Sequence, residues 1–187
     1  MTKNVLKYSV MIMAVILVIG LGFAGAASAD GTIEVKASTW NSWSDDINTH
    51  IGDNDTVRFI DEDSGVGNIE PKFIGDTSGF TPEHDITFDF SKYHGTFTGV
   101  SGSHDGDVGS LFGYINDNSY GPHTIIIKNL TMRSVKITPD GYQGSLGGVI
   151  GRFNGVYGPS KLTFENCTLY NCSMGATSEG NNDDVGG

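Results

Sequence analysis

The stretch "YGPHTIIIKNLTMRSVKI", residues 120–137, returns without a gap as "YGPSKLTFENCTLYNCSM", residues 157–174. Laid over one another, the copies align Ile125 with Leu162, Ile127 with Phe164, Leu130 with Cys167, Met132 with Leu169, Val135 with Cys172 and Ile137 with Met174. All six pairs are apolar, while the residues between them, such as Lys128 with Glu165 and Arg133 with Tyr170, are polar or tolerant. The apolar spacing runs 2, 3, 2, 3, 2, which is strand alternation interrupted twice by one additional residue, where a helix would show spacings of 3 and 4. Each copy therefore reads as three short strands joined by sharp corners, with one face always turned inward.

Asn129 and Asn166 occupy the same corner of the two copies. Asn tolerates the left-handed backbone that a one-residue bend requires, and stacked Asn side chains can bond along the stack. A chain that turns repeatedly with one face inward, at a fixed period, has the signature of a solenoid whose coils pair about 4.8 Å apart. The expected fold is all-β: a right-handed parallel β-helix of about three to four coils.

A second element keeps nearly the same pitch. "DVGSLFGYI" from Asp107 is followed by "GSLGGVIGRF" from Gly144 and "DVGG" from Asp184, so that Gly109, Gly147 and Gly186 recur at almost equal intervals. Glycine at such positions admits close backbone approach between coils. With "HGTFTGVSG" at 94–102 leading in, residues 84–187 resemble the GLUG-motif β-helix repeats of bacterial and archaeal surface, adhesin-like proteins. The segment departs from that pattern in having Ser110 where a second Gly is usual, and in breaking off at the third motif. The resemblance implies a cell-surface role without catalysis.

Upstream, "GTIEVKAS", "DTVRFID" and "PKFIG" alternate apolar and polar residues between Gly, Asp and Asn turns. "HDITFDF" from His84 precedes "HTIIIKN" from His123 by close to one repeat length, as a candidate earlier coil. Trp40, Trp43, Ile47 and Ile51 fall at helical spacing, which predicts a short amphipathic helix capping the first coil. The expected organisation is a signal peptide over 1–29, a capping region with the first coils over 30–83, and β-helix repeats over 84–187 that are incomplete at their C-terminal end.

The leader places Lys3 and Lys7 before an uncharged apolar run closing on Ala27, Ser28 and Ala29, so cleavage is expected between Ala29 and Asp30 and the protein is expected outside the cell or on its surface. Only an uncleaved leader would tie it to a membrane. The chain carries a net charge of −11; loss of two lysines and no acid with the leader makes it −13. Such a surface excludes nucleic acid as a partner.

The five histidines lack paired ligand spacing, and "DNDTVRFIDEDSG" at 53–65 lacks the ligand order of a calcium loop. No cofactor is expected beyond loose calcium on the clustered carboxylates. Cys167 and Cys172 take core positions, and five residues around a corner do not suit a disulfide, so both are expected as buried free thiols. Of four glycosylation sequons only Asn54, in a polar turn, is a reasonable acceptor, because those at Asn129, Asn166 and Asn171 lie within the coils.

Three function classes stay open at this point: an adhesin-like module that binds a glycan or cell-surface protein, a fragment of a carbohydrate-active β-helix enzyme, and a purely structural envelope component. An enzyme would need paired carboxylates, or a carboxylate with an Arg or Lys, across one exposed face, and the outward residues of the two readable copies give no such pair. If the chain is truncated, its open last coil also predicts edge-to-edge self-association.

Overall fold

The computed structural model describes residues 31–43, 47–76, 78–118, 121–140, 144–155, 159–175 and 184–186. The chain opens with β1 (Thr32–Lys36), the short helix α1 (Ala37–Ser42), a 3-10 turn (Ile47–His50), β2 (Asp55–Ile60) and β3 (Asn68–Ile69). Then come β4 (Ile86–Lys92), β5 (Thr96–Phe97), β6 (Val100–Gly102) and β7 (Phe112–Asp117). The first copy of the repeat forms β8 (Thr124–Lys128), β9 (Thr131–Arg133) and β10 (Lys136–Pro139), followed by β11 (Ser145–Gly147) and β12 (Ile150–Gly155). The second forms β13 (Lys161–Glu165), β14 (Thr168–Tyr170) and β15 (Ser173–Met174), and β16 (Asp184–Gly186) comes last. The protein is therefore mostly β, in several short sheets whose strand pairings are all parallel.

The largest sheet runs in the order β1-β2-β4-β8-β13. Its register sets Thr32 beside Thr56, Thr56 beside Thr87, Thr87 beside Ile126 and Ile126 beside Thr163. The last two steps, from Thr87 to Ile126 and from Ile126 to Thr163, are those that the sequence spacing predicts. The first two are shorter, which is why the five passes of the main sheet outnumber the three or four expected from self-similarity. Pairing crosses residues 83 and 84 in two sheets, by β2 with β4 in the largest sheet and by β3 with β5 in a separate one.

The corners follow from backbone conformation. Asn129 and Asn166 have φ of 58° and 52°, and the second corner of each copy repeats the device at Ser134 and Asn171, with φ of 55° and 52°. Each left-handed residue redirects the chain in one step, and β9 and β14 pair just beyond it. In the first copy all six inward positions are buried, from Ile125 to Ile137. They join one core that extends from Ile33 to Val149. At its centre the Trp40 ring meets Phe59, Phe88 and Phe112, with centroids 5.3, 6.2 and 5.8 Å away, so α1 drives its tryptophan inward past several strands.

Several expectations need correction. The single helix expected over Trp40–Ile51 is a six-residue helix and a separate 3-10 turn, although Trp40, Trp43, Ile47 and Ile51 are all buried. "PKFIG" forms no strand beyond one bridge from Lys72 to Phe112, because Phe73 turns to φ 56° and stacks its ring on Phe80 and Phe112. The second copy has the predicted register, yet its inward residues are not sealed: Phe164 is 46% exposed, and Cys167 and Cys172 are half-buried free thiols. Strand β13 pairs on one side only among the described residues, so Phe164 lacks the second flanking strand that Ile127 of β8 has. Ala29 and Asp30 lie outside the described residues. No helix among the described residues is long and apolar enough to cross a membrane.

Candidate ligand groove

Where β8 and β13 end, the chain bends at once on Asn129 and Asn166, but β4 continues to Lys92, where it pairs with Ile60 of β2, before turning through Tyr93, His94 and Gly95. That difference in length cuts a step into the surface. The step is a groove of about 410 Å³, walled by Phe90, Ser91, Tyr93, His94 and Gly95 and floored by Asn129, Thr131, Arg133 and Asn166.

The floor carries a directed relay of amides. Asn166 Nδ2 donates to Asn129 Oδ1 at 2.9 Å, and Asn129 Nδ2 donates in turn to Asp89 Oδ1 at 2.9 Å. Asp89 is nearly inaccessible and also accepts from the Ser91 N–H at 3.0 Å. Its other oxygen lies 3.5 Å from Arg58 Nε and 3.9 Å from Lys128 Nζ. Burial alone would push this carboxyl up, but the hydrogen bonds from Asn129 and Ser91, with the Lys128 charge, outweigh it and hold the group below the ordinary carboxylate range. Asp89 is thus the fixed anionic end of the relay, and the exposed Asn166 is its outer end among the described residues.

The wall is anchored separately. Asp61 accepts the His94 backbone N–H at 2.7 Å and meets His94 Nδ1 at 2.8 Å. The first of these bonds does most to hold the Asp61 carboxyl below its usual range, with the ring contact second. Beneath them the buried Tyr93 hydroxyl lies 2.9 Å from the Gly67 carbonyl oxygen and 2.8 Å from that of Thr96, and burial pushes its phenol well above the usual range. The guanidinium of Arg133 sits 5.8 Å from the centre of the Tyr170 ring, which is 63% exposed. Chemically, the step offers a planar cation and oriented amides, and the Tyr170 ring stacks on that cation just outside the lining. Asp61 and Asp89 are both already held by partners.

The residues singled out from the sequence fall into separate places. Asn129 and Asn166 meet on the groove floor. Gly109, Gly147 and Gly186 stack away from it, with Gly147 beside Gly186 in the β11–β16 pairing and Val108 bridged to Leu146. A Cβ on Gly147 would collide with the Ile150 carbonyl, so close approach is a requirement there. Ser110, in place of the usual second Gly, is fully buried and donates its hydroxyl to the Gly148 carbonyl. Asn54 is exposed at a left-handed turn before β2, far in sequence from the groove residues.

Sequence reasoning passed over Asp89, the Asp61–His94 pair and the stacking of Tyr170 on Arg133. Only the last left a signal, in the alignment of the two copies that sets Tyr170 on Arg133. Two of the five histidines are packed rather than free on the surface: His50 stacks on Trp43 at 4.5 Å, and His123 Nδ1 lies 2.8 Å from the buried Asp117 carboxylate. Among the described residues no group of three or more His, Cys, Asp or Glu is placed to hold a metal ion. No family model, curated protein or solved structure matches this chain.

Proposed function

We propose that the protein is a secreted or cell-surface binding module without catalysis, built as a right-handed parallel β-helix of the GLUG-repeat type, and that its groove binds a glycan. Support for the β-helix comes from uniformly parallel pairing, from register steps that match the sequence repeat, and from left-handed corners that recur at equivalent positions. The observation that carries the binding reading is the exposed Arg133–Tyr170 stack beside the Asn129–Asn166 amides. An aromatic face accepts the apolar side of a sugar ring, while amide and guanidinium groups fix its hydroxyls. The net charge, −11 for the whole chain and more negative once the leader is lost, repels polyanions, so the ligand is a neutral or weakly charged glycan.

A glycan array followed by calorimetric titration tests this reading. Arg133→Ala should weaken binding about ten-fold or more, the loss of a hydrogen bond to a charged group being worth roughly 1.5–3 kcal/mol. Absence of binding to any glycan, or binding that Arg133→Ala leaves unchanged, would contradict it.

A further inference from the structure

Among the described residues strand β13 is last in the main sheet, and its pairing fixes which of its backbone groups face away from β8. The Lys161 N–H donates to the His123 carbonyl at 2.9 Å, and the Asn129 N–H donates to the Glu165 carbonyl at 2.9 Å. In a parallel ladder this phase turns the N–H and C=O of Lys161, Thr163 and Glu165 toward β8, and those of Leu162 and Phe164 toward the open edge. The side chains of Leu162 and Phe164 stand over the buried Ile125 and Ile127 and so face the interior, yet Phe164 is 46% exposed and Leu169, on β14, is 47% exposed. An apolar groove of about 480 Å³ lies between them and Leu146, Val149 and Ile150.

We propose that this end of the molecule docks on the same end of a second copy, β13 against β13 in antiparallel orientation, across a two-fold axis through Thr163. The strand, Lys161-Leu162-Thr163-Phe164-Glu165, is complementary to its own reverse. Centred on Thr163, each Lys161 stands opposite the other copy's Glu165, and each Leu162 opposite its Phe164. Leu162 and Phe164 are the residues with free backbone groups, and they fall opposite one another as hydrogen-bonded pairs. Lys161, Thr163 and Glu165 fall at the closer, non-hydrogen-bonded positions, where opposite charges attract most. Two-fold pairing of one patch with itself closes after two copies, and it would cover the exposed Phe164 rings of a sheet edge that is unpaired among the described residues.

Sedimentation equilibrium of the purified protein should show a monomer–dimer equilibrium. Lys161→Glu places two like-charged pairs in the interface and should weaken dimerisation about ten-fold or more, while Lys161→Glu combined with Glu165→Lys should restore it. Both positions are exposed, so the variants keep the fold. Thr163→Cys should form an intermolecular disulfide joining position 163 to itself, located by peptide mapping, and Lys161→Cys should not. A monomer at all concentrations, indifference to charge reversal, or cross-linking at 161 as ready as at 163 would overturn the proposal and point to a different chain as the occupant of this edge.

Discussion

At the scale of single residues, Asp89 organises the groove. It is 4% exposed and holds two cations, a backbone N–H and the inner end of the amide relay. Removing it by Asp89→Ala strands these partners and should cost about 1–3 kcal/mol in denaturant unfolding. The pH dependence has a definite sign. A carboxyl whose folded pKa is depressed contributes stability that is complete above the unfolded value and is lost as pH falls through the folded one. Stability should therefore decline as the solution is acidified below about pH 4, and Asp89→Asn should flatten that decline. Equal acid sensitivity in the two proteins would remove Asp89 from this role. Asn129 contributes twice, by its backbone and by its amide. Asn129→Gly keeps the left-handed corner at φ 58° but loses both side-chain hydrogen bonds, and should cost about 1 kcal/mol; Asn129→Val also strains the corner and should cost about 2–4 kcal/mol.

At the scale of elements, the strands of the two copies are held by inward residues that recur at the same position of each pass. Ile127 is fully buried between Phe88 and Phe164, so Ile127→Asp should abolish cooperative unfolding by circular dichroism, an unpaired buried charge costing several kcal/mol. Gly147→Val should do the same for β11, whose backbone lies against Ile150. This is also the scale at which the sequence was most legible. The 2, 3, 2, 3, 2 spacing located β8 to β10 and β13 to β15 together with their register, because equal pass lengths place like residues side by side. The steps from Thr32 to Thr56 and from Thr56 to Thr87 differ from one another and fall short of the repeat, so no alignment at one period could reveal them. The spacing located the second corner but not the residue that makes it, since Ser134 carries less left-handed preference than its counterpart Asn171. The groove was half legible: its floor lies on repeat positions, whereas its wall arises from β4 outrunning β8, a difference in length that no repeated residue marks.

At the scale of the whole molecule, one aromatic-rich core joins strands drawn from Ile33 to Val149, and the last pass leaves its apolar side partly open. A dimer joined at that end would present two copies of the groove on one particle, and so would bind a surface glycan with more avidity than either groove alone. All of this depends on parallel, in-register stacking. The measurement that tests it most directly is the nuclear Overhauser pattern of the isotope-labelled protein between β4 and β8. The predicted result is parallel-ladder contacts linking Ile86 with Ile125 and Phe88 with Ile127, in one unbroken register along the two strands. Close α-proton pairs of antiparallel type between these strands, or contacts in a shifted register, would contradict the account.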